Sequence, residues 1–128
     1  MPDIKLKPLK GRKTFSELFK SGKRISIKEC SAVYLENVQF DNPGLFRIIF
    51  YAVIVSKKIA KKAVVRNRVK RLLRESLRMA LKEDVRLFDN LSIIGLIWKD
   101  APEKPYQIKL WDVYLAVREV LKRIRNEK

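Results

Sequence analysis

The sequence predicts an α+β two-layer sandwich, a single sheet with helices packed on it in the order α-β-β-β-α-β-α. Three observations lead there. Phe46 to Ser56 is a nearly continuous apolar stretch rich in Ile, Val, Phe and Tyr, the composition of a central strand. An apolar period of 3.6 residues runs from about Ala63 to Lys82 and again from Leu110 to about Arg125. A second strand-length apolar run, Leu91 to Trp98, stands between those two helical stretches.

The remaining elements follow in chain order. Residues 1–11 are basic, contain Pro2, Pro8 and Gly11, and read as a loosely held arm on a single domain spanning 1–128. Thr14 can cap a short helix, with Glu17 three residues on completing a capping box. Phe15, Leu18 and Phe19 then share one face, and Ser21-Gly22 ends the helix. Ile25 to Ile27 reads as a short strand. Cys30 to Glu36 reads as a longer one, with Ala32 and Tyr34 on one face and Val33 and Leu35 on the other. Asp41-Asn42-Pro43-Gly44 is a turn signal, and Asp100 to Pro105 is a loop. The last helix carries Leu110, Val113, Tyr114, Val117, Leu121 and Ile124 along one stripe, and Trp98 and Trp111 are expected in the core.

Charge narrows the function. Thirty Lys and Arg against 14 Asp and Glu leave 128 residues with a net +16, and the sequence pI is about 10.2. That excess repels itself in a compact domain, which a polyanionic partner explains. A membrane partner is disfavoured, since no stretch approaches the roughly 18–20 apolar residues that span a bilayer, and no apolar signal core stands at the N-terminus. A cytoplasmic location is the expectation. The lone Cys30 forms no intrachain disulfide and, with no histidine present, leaves no zinc finger or imidazole-based triad. The 14 acids are scattered along the chain, so no catalytic site is expected in the protein itself.

The positive charge is concentrated. Lys57 to Arg78 holds ten basic residues and one acid, Glu75. On a helical projection Val65, Val69, Leu72, Leu73, Ser76, Leu77 and Ala80 form the buried stripe. Arg66, Asn67, Lys70, Arg71, Arg74 and Arg78 share the opposite side, with Arg68 on the far flank. A merely solvated face mixes signs, because like charges four residues apart oppose helix formation. Here Arg66, Lys70, Arg74 and Arg78 repeat at that spacing. Arginine suits bidentate phosphate contacts and stacking on bases, and the first-turn backbone N–H groups near Asn67 favour phosphate as well. A DNA-reading helix-turn-helix is disfavoured because this helix follows a strand and a basic loop.

The run from Val53 to Glu75, with its Ser56-Lys57-Lys58, Arg66-Asn67-Arg68, Lys70-Arg71 and Arg74-Glu75, closely resembles the signature of the bacterial ribonuclease P protein family. The likeness extends outward: Phe15 and Phe19 look like the paired aromatics of the family's first helix, and Tyr34 like an aromatic on a following strand. Family members usually have Gly near Ala60, and a Gly-Ile or similar pair where Tyr51-Ala52 stands. The resemblance implies the sandwich of a ribosomal protein S5 domain, with a left-handed β-α-β crossover around the basic helix. It implies a subunit of the ribonuclease P holoenzyme, an endoribonuclease that removes the 5′ leader from precursor tRNA. A catalytic RNA performs the hydrolysis with Mg2+ held by RNA and substrate.

Two surfaces are implied in turn. Arg66, Asn67, Arg68, Lys70, Arg71 and Arg74 would contact the catalytic RNA. Phe15, Phe19 and Tyr34, rimmed by Lys57, Lys58 and Lys61, would line a cleft for the single-stranded leader, as aromatics over a basic groove do. Spacing alone would put the two phenylalanines in the core; the resemblance implies partial exposure. No protein partner is implied. Two other classes stand beside this reading: a ribosomal protein or general RNA chaperone using the same helix, and a protein-only nuclease.

Overall fold

Two parallel strands at the centre of one sheet organise the molecule, and the helix that joins them supplies most of one layer. The computed structural model describes residues 3–36, 46–100 and 104–126. In chain order these form β1 (Asp3–Pro8), α1 (Arg12–Ser21), β2 (Lys23–Ser26), β3 (Cys30–Glu36), β4 (Phe46–Val55), α2 (Ala63–Glu83), β5 (Leu91–Trp98) and α3 (Leu110–Asn126). Short 3-10 turns at Val85–Phe88 and Pro105–Gln107 precede β5 and α3. The turn expected at Asp41 to Gly44 lies outside the described residues.

The sheet order is β1-β4-β5-β3-β2. β4 lies parallel to both β1 and β5, while β3 is antiparallel to β5 and to β2. Parallel neighbours need a long crossover, and α2 is that crossover between β4 and β5. Residues 3–8 therefore depart from the expected loose arm. Ile4 and Leu6 pack against the core while Lys5 and Lys7 alternate with them, and Leu6 pairs with Ile49. Period-two alternation beside a buried strand makes an edge strand from a segment that is weakly apolar on its own.

Side chains alternate between the two faces of the sheet. On one face Ala32, Tyr34, Ile49, Tyr51, Ile94 and Leu96 meet α2 and α3 in the main core. The seven residues expected as the buried stripe of α2 are its buried residues. α3 buries Val113, Tyr114, Val117, Val120, Leu121 and Ile124 beside it. The Tyr114 hydroxyl donates to Glu83 at the end of α2, and Arg47 donates to the Phe88 carbonyl. Trp98 is buried as expected, but Trp111 is 59% exposed, with its ring tilted against Tyr114 at 5.5 Å. It lies one residue, about 100°, off the stripe begun by Leu110.

On the other face α1 seats Leu18 over Val33 and Ile93, with Leu9, Phe19, Leu35, Phe50 and Ile97 around them. Gly95 lets the helix come close: a Cβ there would stand 3.3 Å from Leu18 Cδ2. The helix begins at Arg12 rather than after Thr14. Gly11, at φ +97°, turns the chain there and accepts from the Phe15 N–H at 3.2 Å, so the predicted Thr14–Glu17 capping box does not form. At the far end Gly22 donates to the Leu18 carbonyl at 2.9 Å.

Two tests follow from this packing. A Cβ at Gly22 would lie 2.7 Å from Val33 Cγ1 and press on the Leu18 carbonyl. Gly22→Ala is therefore expected to lower the unfolding free energy in a urea titration by about 1–3 kcal/mol. Burial pushes the Cys30 thiol up to about 12, only partly offset by the Ile97 backbone. Iodoacetamide at pH 8 is expected to leave Cys30 unmodified in the folded protein and to label it in denaturant, read by intact mass.

Candidate nucleic-acid interface

The basic segment starts where β4 leaves the sheet. Ser56 holds the loop in a single turn, accepting from the Ile59 and Ala60 backbone N–H groups at 3.2 and 3.0 Å, and its hydroxyl accepts from Ile59 N at 3.3 Å. Lys57, Lys58, Lys61 and Lys62 are all exposed, whereas Ala60 is buried between them. Positive φ is confined to Asn90 and Gly11 among the described residues, so Ala60 holds its place in ordinary backbone conformation. The methyl group serves as a small core residue that anchors the loop.

Arg66 and Arg68 have duties to the protein as well as a position on the helix. Arg66 Nη1 donates to the carbonyls of Ala60 and Lys61, both at 2.9 Å, and so ties the loop to the first turn of α2. Arg68 Nε and Nη2 both reach the Ile108 carbonyl, at 3.3 and 3.0 Å, and bind α2 to the segment that leads into α3. Arg78 pairs with Glu75 at 2.7 Å. Among the described residues Lys70, Arg71 and Arg74 make no hydrogen bond or ion pair with the protein, and Asn67 is exposed beside them. No acid stands in the first turn of α2 and no side chain caps it. Its N–H groups and the cations after it present one uninterrupted positive face, suited to phosphate.

The aromatic surface lies on the other side of the sheet, over α1. Phe15 and Phe19 are half-buried. Tyr34, expected with them, is not: it is 1% exposed in the core under α2 and α3. The alternation along β3 sends Val33 and Leu35 toward α1 and Tyr34 away from it. Phe50 on β4 takes a place on the α1 side instead, and lines a groove of about 340 Å³ with Lys7, Pro8, Leu9, Lys10 and Thr14. Arg24 adds a cation at the margin, its guanidinium 5.9 Å from the Phe19 ring centroid and bonded to the Phe19 carbonyl at 3.2 Å. Lys7, Lys10, Phe50 and Arg24 were not singled out from sequence. The signal for Phe50 is its parity, opposite to Ile49 and Tyr51. Those for Lys7 and Lys10 are hidden once β1 is taken for an arm.

The lysine loop and this groove share an edge. β1 runs parallel to β4, with Pro8 opposite Tyr51, before the chain turns into α1. The loop at Lys57 leaves that same end of β4 four residues further on. Basic side chains thus run from the groove, past the strand ends, to α2.

A mixed five-stranded sheet whose crossover helix carries an outward basic face, with aromatics on the opposite side, defines an α/β sandwich with a surface suited to polyanions. The family model described as Ribonuclease P matches residues 4–107, and the chain belongs to that family. It is 40% identical over 75 residues to a ribonuclease P protein component of Microcystis aeruginosa, covering 59% of this chain and 60% of that one. A second, from Prochlorococcus marinus, is 35% identical over 52% of this chain and 56% of that one. The chain thus spans about 60% of the length of the curated relatives it matches. The fold is that of solved RNase P proteins. The Staphylococcus aureus protein has a TM-score of 0.66 at 21% identity, covering 92% of this chain and 94% of its own. The Thermotoga maritima protein has a TM-score of 0.66 at 20% identity, covering 91% and 96%.

The double role of Arg68 is open to measurement. Arg68→Ala removes two charge-assisted bonds to a backbone carbonyl and is expected to cost about 1.5–3 kcal/mol in denaturant titration. Arg71→Ala, on an exposed side chain with no protein partner, is expected to change stability by less than about 0.5 kcal/mol.

Proposed function

We propose that the chain is the protein subunit of ribonuclease P, working in the cytoplasm within an endoribonuclease that matures tRNA 5′ ends. The outer face of α2 holds the catalytic RNA through Lys70, Arg71 and Arg74, with Asn67 among them. The guanidinium edges that Arg66 and Arg68 leave exposed extend that face. The groove lined by Lys7, Lys10 and Phe50, together with the adjoining surface of α1, receives the single-stranded leader of precursor tRNA, with Phe50, Phe15 and Phe19 as stacking surfaces and Lys7, Lys10 and Arg24 as cations. Lys57, Lys58 and Lys61 line the path between the two.

The observation that carries this reading is the undivided basic face of α2 in a chain of this family. Like charges at four-residue spacing oppose the helix that bears them, and the phosphates of an RNA remove that repulsion. Stacking of bases on half-buried aromatics tolerates any leader sequence, which a processing enzyme with many substrates requires. The catalytic RNA performs the hydrolysis with Mg2+ held by RNA and substrate. Among the described residues no group of three or more His, Cys, Asp or Glu is arranged to hold a metal ion. The protein's part is to bind and orient: it offsets phosphate charge and fixes the leader beside the RNA. No helix among the described residues is long and apolar enough to cross a membrane.

Purified protein added to its cognate ribonuclease P RNA and precursor tRNA at low magnesium is expected to raise leader cleavage. No gain would sink the reading, and cleavage without the RNA would replace it with a protein-only nuclease. In the same system Arg74→Ala is expected to weaken binding of the catalytic RNA and to flatten its salt dependence. The slope should fall by about 0.7–0.9 for the lost phosphate contact.

A further inference from the structure

Five large apolar side chains are exposed among the described residues, and three of them lie in or against the basic segment. Ile59 belongs to the lysine loop, Val64 stands in the first turn of α2 at 58% exposure, and Tyr106 in the 3-10 turn before α3 at 61%. The other two are on α3 and differ in their surroundings. Leu115 lines a concavity of about 540 Å³ together with Trp98, Glu29, Asp100, Asp112 and Glu119, and Trp111 is one turn before it. Those carboxylates repel phosphate, so that side of α3 is unsuited to nucleic acid.

Tyr106 is held against α2. The turn Pro105–Gln107 packs on that helix, and Arg68 grips the Ile108 carbonyl through two N–H groups, at 3.3 and 3.0 Å. Within the turn the Gln107 N–H donates to the Lys104 carbonyl at 3.1 Å, and the Lys104 N–H donates to Gln107 Oε1 at 3.0 Å. The ring is therefore presented at a fixed place while open to solvent, with the Lys104 ammonium 5.9 Å from its centroid. Val64 precedes Arg68 by one turn and shares that side of α2, and Arg71 follows three residues on. Glu75, further along the same stripe, is engaged by Arg78. A tyrosine and a valine thus stand among Lys104, Arg68 and Arg71.

We propose that Tyr106 and Val64 form a stacking platform for an unpaired base of the RNA held by α2, with Lys104 and Arg71 on the phosphates that flank it. Cations alone hold the phosphates of any nucleic acid, duplex or single strand. A ring among them adds a π-face on which an unstacked base rests, and a base inside a stem is not free to reach it. The inference depends on the reading of α2 as the face for the catalytic RNA. It adds which part of that RNA is met there: a loop or bulge nucleotide in place of a paired stem. The platform lies on the α2 layer, across the sheet from the groove at Phe50.

The test titrates the full chain with its cognate ribonuclease P RNA over a series of salt concentrations. Tyr106→Ala is expected to weaken binding about tenfold at every salt concentration and to leave the salt slope unchanged, because stacking releases no counterion. Tyr106→Phe and Tyr106→Trp are expected to stay within about twofold of wild type, and urea midpoints to be unchanged in all three. Val64→Ser is expected to weaken binding about threefold, again with no change of slope. With Tyr106 replaced by p-benzoylphenylalanine, irradiation of the reconstituted holoenzyme is expected to crosslink an unpaired nucleotide of the catalytic RNA. Unchanged affinity of Tyr106→Ala overturns the proposal, and so does a lowered slope with no rescue by Phe or Trp. Crosslinks to a paired stem, to precursor tRNA or to a second protein chain overturn it as well. If Arg74→Ala and Tyr106→Ala both leave RNA binding intact, the reading of α2 fails; if Tyr106→Ala alone does so, only the platform fails.

Discussion

The crossover between β4 and β5 is the constraint on which the remainder rests. Two parallel neighbours at the centre of a sheet need a helix to connect them, and that helix must bury one stripe against the strands. α2 does so with seven residues from Val65 to Ala80. Once that stripe is fixed, the 3.6-residue period leaves its cations nowhere to go but outward. The outward positive face is thus a consequence of packing: the energy that seats the helix comes from apolar burial, and it outweighs the repulsion among Lys70, Arg71 and Arg74.

Not every cation on that helix is spent in the same way. Arg66 and Arg68 turn back to backbone carbonyls, one closing the lysine loop and the other fastening the approach to α3. A five-donor guanidinium can do this and still offer an edge to a ligand, which an ammonium cannot do as well. The contacts that hold this positive face in place are therefore built from the same residue type as the face itself.

Much of this was legible in sequence, because burial periodicity is a local property. The stripe of α2, the bounds of β3 and β5 and the alternation of Ala32 and Tyr34 against Val33 and Leu35 follow from spacing alone. What spacing does not say is which face of the sheet α1 covers, and the family likeness that sets Tyr34 beside Phe15 and Phe19 does not hold in space, because Tyr34 belongs to the opposite core. β1 was missed because Ile4 and Leu6 are too few to announce a strand without the neighbour they pair with. Trp111 was expected inside on hydrophobicity, although the phase of α3 already put it off the stripe. The carbonyls that engage Arg66 and Arg68, and the meeting of four distant carboxylates around Trp98, are products of tertiary structure with no signature along the chain.

The strand that closes the sheet has one more effect. β1 is an outer strand, and it ends on Pro8 with Lys5 and Lys7 along it; the opposite margin, β2, is four residues long and includes Lys23 and Arg24. Proline lacks the amide hydrogen a newcomer would bond, and short, cation-bearing margins repel a like neighbour. Recruitment of further strands from identical molecules is disfavoured at both borders. Edge-to-edge growth of the sheet into fibrils is thereby opposed.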